Sequence, residues 1–272
     1  MHFEYHSTMP STKKLAEHYI TNRIHKNNFV IVADCQTEGV GRKGNIWLSP
    51  KGGLWFSIGL QHISTQKCFP LYIGFCVLKA INDIIEENLP DYNQINIAAF
   101  LKWPNDIFLL NKKICGLICS QHSKFGMTNI GIGINTNLPP HLCGQLSFPP
   151  HLCGQPSLPP HLWGGNKGGD ISNNIPSILN LLNLNIDNSV YLSTILNNIL
   201  QQLPDFEHLG LFLFEDYYKK HDYLSNKYIN IISGNEEYQG LYKGCDKDGA
   251  LLLQEKNSNI KTVFSGSVNI QT

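Results

Sequence analysis

The sequence predicts an α+β protein: a large domain that mixes helices with strands, followed by a small β-barrel. Apolar residues recur at helical spacing from Leu71 to Glu87, whereas they alternate with other residues from Gly53 to Leu60, as in a half-buried strand. After Asn226 the chain turns to short strands separated by the turn-like segments SGNE, CDKDG and KNSN. Such evenly spaced strands are typical of a small barrel, and at about 45 residues it should lean on the large domain.

The large domain is expected to begin with a helix capped by a hydroxyl group. Ser11 and Thr12 precede the spaced apolar residues Leu15, Tyr19 and Ile20, which suits a helix over 11–23. The elements expected after it are a strand at Phe29–Ala33, a glycine loop at Gly39–Gly44, a strand at Gly53–Leu60, a helix at Leu71–Glu87, a strand at Ala98–Trp103, a hairpin of Ile107–Leu110 and Ile114–Ser120 around the turn Asn111–Lys113, and helices at Ser189–Leu203 and Gly210–His221.

The strand predicted at Asn129–Asn135 alternates isoleucine with small or polar residues. Its sequence, NIGIGIN, leaves one face without bulky side chains. Such a face gives room for another group to approach the backbone closely. That group is either a ligand or a neighbouring strand or helix.

Composition indicates an ordinary water-soluble protein. Hydrophobic residues make up 42% and charged residues 15%, with zero formal net charge, so no charge excess points to nucleic acid or to a membrane surface. There is no apolar run long enough to span a bilayer, and the N-terminus lacks the apolar core of a signal peptide. We therefore expect a cytoplasmic protein with free thiols at its eight cysteines, and leave organellar delivery open.

A tandem ten-residue repeat interrupts the large domain from Leu138 to Lys167: LPPHLCGQLS, FPPHLCGQPS and LPPHLWGGNK. Pro-Pro and Gly cannot sustain a helix or a central strand, so an extended insertion is expected at about 138–169. Its histidines and cysteines suggest zinc, but the third copy lacks the cysteine and the prolines oppose a four-ligand cage. No structural zinc is expected.

Two segments have residue types suited to binding anions. Arg42 and Lys43 stand between the glycines of a mobile loop, which gives exposed amides and a cationic fork for a carboxylate or a phosphate. Asn105 and Asp106 follow a strand that ends in Trp-Pro, and Lys113 returns across the hairpin, so both ends of the hairpin can face one pocket. Taken singly, these segments are also compatible with a surface turn and with a hairpin bearing solvated lysines.

The ordered motifs resemble those of the biotin protein ligase (holocarboxylase synthetase) family over nearly the whole chain outside the repeat. The motifs are STKK at 11–14, QTEGVGRKGNIWLSP at 36–50, KWPND at 102–106, KKICG at 112–116, GIGIN at 131–135 and GCDKDGALLL at 244–253. The resemblance implies the class II synthetase-like biotin/lipoate ligase fold. It comprises a catalytic domain at 1–225, with a mixed sheet flanked by helices, and an SH3-like domain at 226–272.

The resemblance also implies roles for individual residues. Those matching the biotin site are Ser11, Thr12, Lys13, Gln36, Gly39, Val40, Gly41, Arg42, Lys113, Gly116, Gly131 and Gly133. Those matching the ATP site are Arg42, Lys43, Trp47, Lys102, Asn105, Asp106, Lys113 and Asn135. Arg42, Lys113 and Asp106 are the catalytic candidates, and Mg²⁺ is expected near Asp106.

The implied activity joins biotin to a lysine of an acceptor protein. Biotin's carboxylate and ATP would give biotinyl-5′-AMP, and the acceptor would be the biotin carrier domain of a carboxylase such as acetyl-CoA carboxylase. Val40 replaces a usual second loop arginine, and Lys13 a usual asparagine. No DNA-binding helical segment precedes Ser11, so no nucleic-acid partner is expected, nor is a membrane; a homodimer stays open. The alternatives are lipoate or octanoate transfer on the same fold and a non-catalytic binding module.

Overall fold

The computed structural model describes residues 1–89, 97–139 and 175–271. Most of the predicted insertion at about 138–169 therefore lies outside the described residues. The chain forms two compact units, each described by itself below. The first unit consists of Met1–Ile63, Asn88–Pro90 and Leu109–Leu192, and the second of Ser64–Glu87, Asp91–Phe108 and Ser193–Thr272.

Helices and strands alternate irregularly along the described chain. The strands are β1 (His2–His6), β2 (Phe29–Ala33), β3 (Leu54–Leu60), β4 (Ala99–Lys102), β5 (Asp106–Leu109), β6 (Lys112–His122), β7 (Met127–Ile134), β8 (Tyr228–Ser233), β9 (Glu236–Cys245), β10 (Leu251–Gln254), β11 (Ile260–Val263) and β12 (Ser267–Ile270). The helices are α1 (Thr12–Thr21), α2 (Phe69–Asn88), α3 (Ile178–Leu182), α4 (Asn188–Leu209) and α5 (Glu215–Lys220).

A mixed sheet forms the centre of the first unit. Its strands lie in the order β1-β2-β3-β7-β6. The pairing of β1 with β2 is parallel, and the pairs β2–β3, β3–β7 and β6–β7 are antiparallel. All residues of β2 and β3 are buried, which explains their near-continuous apolar sequences FVIVA and LWFSIGL.

Helix α1 packs on this sheet through residues one turn apart. Thr12, Ala16 and Ile20 are its buried positions, and Ser11 caps its first turn by accepting a hydrogen bond from the Lys14 amide. Ala16 and Ile20 share an apolar cluster with residues of the sheet and its flanks: Met9, Phe29, Ile31, Ala33 and Met127. The predicted capped helix is confirmed, and the sheet beneath it fixes the position of its N-terminal end.

The turn of the predicted hairpin lies earlier than the sequence suggested. Leu110 and Asn111 adopt positive φ values of 48° and 61°, as in the two-residue turns that suit hairpins. Lys112 and Lys113 therefore belong to β6, where successive side chains point to opposite faces. The expectation of a turn at Asn111–Lys113 was wrong. Polar residue types indicate that a turn is near, but they do not show which residues adopt the positive φ values.

Aromatic stacking dominates the core of the second unit. Tyr72 of α2 stacks on Phe206 with ring centroids 4.2 Å apart, and Phe75 stacks on Phe214 at 4.6 Å. The Tyr72 hydroxyl donates a 2.5 Å hydrogen bond to the Ile199 carbonyl, so its polar end is satisfied. The helical spacing of apolar residues in α2 therefore reflects burial in the core. No helix among the described residues is long and apolar enough to cross a bilayer.

The helix predicted at Gly210–His221 is divided. Gly210 has a φ of +57°, which ends α4 and starts a 3₁₀ turn at Gly210–Phe214 before α5. Helix α4 also continues beyond the predicted end at Leu203 to Leu209, with Pro204 inside it. These differences lie in the connections, whereas the apolar faces of the helices agree with the prediction.

The C-terminal strands form a five-stranded antiparallel sheet in the order β11-β10-β9-β8-β12. Strand β12 was not predicted; it pairs with β8 along its whole length. Inward residues alternate with exposed ones, and Ile229, Ile231, Leu251 and Leu253 are buried. The predicted fold class, a mixed sheet with helices and a small SH3-like C-terminal β-structure, is confirmed.

The expectation that all cysteines are free thiols was wrong for Cys35. Cys35, which follows β2, is disulfide-bonded. Free thiols are found at Cys68, Cys76, Cys115, Cys119 and Cys245. The expectation considered the cellular compartment alone, whereas pairing depends on which sulfur atoms the fold brings together.

A buried carboxyl group in the second unit makes stability depend on pH. Asp222 is 9% exposed, and its carboxylate accepts a 2.9 Å hydrogen bond from the Leu224 amide. Desolvation raises the pKa of Asp222 from 3.8 to about 6, against the opposing effects of hydrogen bonds from Tyr242 and Leu224 and of the Lys227 charge. Since the folded pKa exceeds the unfolded one, stability falls as pH rises through this window.

We expect Asp222→Asn to raise the free energy of unfolding, relative to wild type, by up to about 3 kcal/mol more at pH 8 than at pH 4. This figure takes 1.36 kcal/mol for each pKa unit. Asparagine keeps the acceptor oxygen and cannot ionise. Urea denaturation at both pH values measures the difference. The exposed carboxylate variant Asp216→Asn serves as the control. Burial lowers the pKa of His221, so only the comparison between variants isolates Asp222. Parallel pH profiles of Asp222→Asn and wild type would contradict the assignment.

Candidate functional site

Glycines on neighbouring strands leave a small patch on one face of the first unit's sheet without side chains. Gly133 of β7 pairs with Gly116 of β6, and Gly131 pairs with Ser57 of β3. Because paired residues point to the same face, these three glycines form a continuous patch of exposed backbone, here called the glycine floor. The sequence prediction of an open face on β7 is confirmed, and the floor extends onto β6.

The indole of Trp47 lies directly on the glycine floor. A Cβ atom added at Gly133 would come within 2.4 Å of Trp47 Nε1, and one at Gly116 would come within 3.1 Å of the indole ring. The close approach therefore depends on glycine at Gly133. Trp47 Nε1 is buried and has no hydrogen-bond acceptor among the described residues. An unsatisfied buried donor costs about 1–3 kcal/mol, so this atom favours a ligand that brings an acceptor.

Lys113 lies at the edge of the same floor. Its Nζ is 5.1 Å from the centre of the Trp47 ring, which is cation–π distance. Its Cε would be 3.5 Å from a Cβ atom at Gly116. The fold therefore brings a cation, an indole and bare backbone together from the motifs at 112–116, 36–50 and 131–135.

A buried polar network connects the start of α1 to the sheet. The Thr12 amide and hydroxyl donate to Gln36 Oε1 at 2.9 and 3.1 Å, and Thr12 Oγ1 lies 2.9 Å from Ser57 Oγ. Gln36 Nε2 in turn donates to Ser49 Oγ at 2.8 Å. These four residues are at most 6% exposed. They place polar groups beside Gly131, since Ser57 is its cross-strand partner.

Sequence reasoning missed Ser49 and Ser57. Ser57 was detectable in principle, because it is a polar residue on the face of β3 opposite Leu54, Phe56 and Ile58. Ser49 carries no comparable signal. Its role as acceptor for Gln36 arises only because the Gln36 and Ser49 backbones pair in an antiparallel bridge.

The side chain of Lys13 covers the other end of the glycine floor. A Cβ atom at Gly131 would lie 3.4–3.5 Å from the aliphatic carbons of Lys13, an ordinary packing distance. The Lys13 carbonyl accepts a 3.1 Å hydrogen bond from Asn129 Nδ2 on the same strand. Lys13, which departs from the family pattern, therefore packs on the floor. Ser11 is buried beside it as the helix cap.

The loop that carries Trp47 folds back on itself. The Trp47 amide donates to the Gly39 carbonyl at 2.9 Å, the Gly41 amide donates to the Asn45 carbonyl at 2.7 Å, and Val40 bridges Ile46. A Cβ atom at Gly39 would lie 2.2 Å from the Trp47 carbonyl oxygen, so this contact requires glycine. Arg42 and Lys43 occupy the tip, where Arg42 is half-buried and Lys43 exposed. These contacts shape the loop into a short hairpin.

The remaining predicted site residues are distributed between the two units. Asn135 is buried at the end of β7 in the first unit, and its carbonyl accepts from the Ile178 amide at 2.9 Å. Lys102, Asn105 and Asp106 belong to the second unit. Lys102 Nζ lies 5.2 Å from the centre of the Phe108 ring, and Asn105 is buried.

The KWPND motif is anchored within the second unit by its tryptophan. Trp103 is 2% exposed, and its Nε1 donates a 3.0 Å hydrogen bond to the Gly249 carbonyl. The Leu101 amide donates to the His221 carbonyl at 2.8 Å. Two motifs that are far apart in sequence, around 102–106 and 244–253, are thereby joined in one unit, which sequence alone did not predict.

Two family models match the chain. "Biotin/lipoate A/B protein ligase family" matches residues 5–137, and "Biotin protein ligase C terminal domain" matches residues 224–270. Together they cover well over half of the 272 residues. The chain belongs to the biotin protein ligase family. The biotin/lipoate ligase model matches the N-terminal part of the chain, and the C-terminal-domain model matches the end.

Individual family members show the extent of the similarity. Biotin–protein ligase 2 of Arabidopsis thaliana is 34% identical over 120 residues, 42% of this chain and 35% of that protein. The bifunctional ligase/repressor BirA of Bacillus subtilis is 35% identical over 145 residues, 52% of this chain and 42% of that protein. The matched regions thus span less than half the length of these two relatives.

A solved structure of the family has the same fold. The biotin protein ligase from Aquifex aeolicus, in complex with biotin and ATP, superimposes with a TM-score of 0.71 at 22% identity, covering 99% of this chain and 98% of that one. At this identity the similarity supports the fold. The glycine floor and the groups around it are therefore argued from this chain's own geometry.

We expect Gly133→Ala to displace the Trp47 indole, because the added methyl group would overlap it. Acrylamide quenching should then reach more of the Trp47 fluorescence, with Trp47→Phe used to subtract the other tryptophans. Gly131→Ala is the matched control on the same strand and face, since its methyl group would make only normal contact with Lys13. Equal quenching of the two alanine variants would contradict the position of the indole.

Proposed function

We propose that this protein activates biotin with ATP and transfers it to a lysine of an acceptor protein. The observation that carries the proposal is the arrangement around the glycine floor. A neutral polar network of Thr12 and Gln36 lies on one side, and the cation Lys113 lies on the other. This arrangement suits an elongated acid with a neutral polar head.

The dimensions of the floor support biotin as that acid. Ser57 on β3 and Gly116 on β6 are separated by two strand spacings, about 10 Å, with β7 between them. Biotin has a ureido ring at one end and a carboxylate at the end of a four-methylene chain. Thr12, Gln36 and Ser11 would hold the ring, and the chain would run beside Gly116, Gly131 and Gly133, against the Trp47 indole that covers the floor. The unsatisfied Trp47 Nε1 would donate to a ligand oxygen.

The cations offset the repulsion between two anionic reactants. A biotin carboxylate oxygen would attack the α-phosphorus of ATP, and the bond from that phosphorus to pyrophosphate would break. We assign charge stabilisation to Arg42 and Lys113, with Lys43 on the phosphates and Trp47 near the adenine. From the family motifs that contain them, we also assign Lys102, Asn105 and Asn135 to nucleotide binding.

The oxygen donors of Asn105 and Asp106 have the chemistry that Mg²⁺ prefers. When bound, Mg²⁺ would neutralise phosphate charge. Asp106 would also orient the acceptor lysine, whose nitrogen attacks the acyl carbon of biotinyl-5′-AMP. AMP then leaves, and the amine proton passes to a base or to solvent. The closed loop of Gly39, Val40 and Gly41 would exclude water from this anhydride.

We further propose a catalytic domain at 1–225, with an insertion at about 138–169, and a C-terminal domain at 226–272. The match of the C-terminal family model to residues 224–270 supports the boundary. The two compact units divide the chain differently, since Trp103 and Leu101 pack with residues beyond 220. The acceptor is proposed to be the biotin carrier domain of a carboxylase such as acetyl-CoA carboxylase, in the cytoplasm.

Mass spectrometry of a biotin carrier domain tests the transfer. Incubation with this protein, ATP, Mg²⁺ and biotin should add the mass of one biotinyl group to a single lysine. Lipoate and octanoate replace biotin in parallel reactions. Transfer of lipoate or octanoate in preference to biotin would favour the alternative specificity, and biotin binding without pyrophosphate release would favour a non-catalytic module.

We expect Lys113→Ala to reduce biotin-dependent pyrophosphate release by at least about 100-fold, because one charge-stabilising donor typically supplies that much. Arg42→Ala should have a similar effect. Lys112→Ala is the matched control, since Lys112 is the exposed lysine that directly precedes Lys113 in β6. An equal loss of activity in Lys112→Ala and Lys113→Ala would contradict a specific role for Lys113 in charge stabilisation.

A further inference from the structure

Two imidazoles and a carboxylate converge at the edge of the first unit's sheet, away from the glycine floor. His2 and Glu4 lie on the same face of the edge strand β1, and His25 comes from the segment between α1 and β2. One ligand atom from each of the three lies within 4.8 Å of the others. The proposed biotin chemistry uses none of them.

The carboxylate of this cluster is held in place by its neighbours. Glu4 Oε1 accepts a 3.1 Å hydrogen bond from the Tyr19 hydroxyl and lies 2.7 Å from His6 Nε2. Both contacts are made to Oε1, which leaves Oε2 for another partner. Such support of a ligand by surrounding groups is characteristic of metal sites.

The imidazoles are positioned by ring packing. His2 stacks on His25 with ring centroids 4.6 Å apart and planes at 28°. His25 also meets the edge of Tyr19 at 5.1 Å and lies 5.2 Å from Phe29, which is buried. His25 thus rests on the apolar cluster beneath α1, and the exposed His2 stacks on it from a different segment.

We infer that His2, Glu4 and His25 form a binding site for a divalent transition-metal ion, with Zn²⁺ as the best match. Zinc binds imidazole nitrogen and carboxylate oxygen at about 2.0–2.2 Å, and three protein ligands with water in the fourth position complete a tetrahedron. Such bond lengths place ligand atoms about 3.3 Å apart. The three ligand atoms lie within 4.8 Å of one another, so the exposed His2 would turn out of its stack on His25 and close a gap of up to about 1.5 Å. Mg²⁺ and Ca²⁺ favour all-oxygen ligands.

A metal here would join β1 to the segment that follows α1. Helix α1 has 10 residues, about 15 Å long, and its other end carries the Thr12 network. The ion would therefore cross-link these two segments at the sheet edge, away from the residues proposed for catalysis. The site departs from the expectation that no structural zinc is present, because its ligands come from segments more than 20 residues apart rather than from the repeat.

Tag-free full-length protein, stripped of metal, is titrated with Zn²⁺ by calorimetry. His25→Ala, His2→Ala and Glu4→Gln should each lose one equivalent of bound zinc, and His208→Ala, which removes an exposed histidine elsewhere, should keep it. His6→Ala, which removes only a group that orients Glu4, should raise Kd about 10- to 100-fold. Far-UV circular dichroism without metal checks that every variant is folded.

Cobalt substitution identifies the ligand type. The Co²⁺ complex should show d–d bands without a thiolate charge-transfer band, and the bands should be absent in His25→Ala. Equal zinc binding by wild type, His25→Ala and Glu4→Gln would overturn the proposal. So would the absence of zinc binding in the wild type, or a thiolate band that persists in His25→Ala, which would place the ion on cysteines. Ligase activity enters none of these readouts.

Discussion

The first unit depends on a steric constraint: bare backbone at Gly116 and Gly133 lets an indole lie on the sheet. A single methyl group at Gly133 would overlap Trp47 Nε1 at 2.4 Å. The position of the indole determines the rest of the site, because Lys113 lies over its ring and the hairpin of Gly39–Trp47 closes through its amide. Loss of side-chain volume on β6 and β7 thus positions a loop that neither strand contains and places its indole next to Lys113 of β6.

Buried hydrogen bonds provide the second constraint. Gln36 accepts from both donors of Thr12 and donates to Ser49, so the start of α1, the segment after β2 and the end of the loop are held at one point. Buried polar groups are costly unless satisfied, so a network of this kind restricts the positions that its members can take. Uncharged donors and acceptors held in fixed positions suit recognition of a neutral polar ring.

Helix α1 connects two chemically different regions. Its N-terminal end is part of the polar network beside the glycine floor, and the segment after its C-terminal end supplies His25 to the cluster with His2 and Glu4. The apolar residues Ala16 and Ile20 between them pack on the sheet and keep the two ends apart. A cation at the sheet edge and an acid on the floor would therefore bind without competing.

The sequence by itself determined the fold class, most of the strands and helices, and the family, because apolar periodicity and ordered motifs are local properties of the chain. It also identified Thr12, Gln36, Lys113 and Gly133 individually. Tertiary structure decided which of them meet. Positive φ at Leu110 and Asn111 moved Lys113 into β6, backbone pairing brought Ser49 to Gln36, and His25 met His2 across the end of a helix. The last two depend on contacts between residues distant in sequence, which no local pattern encodes.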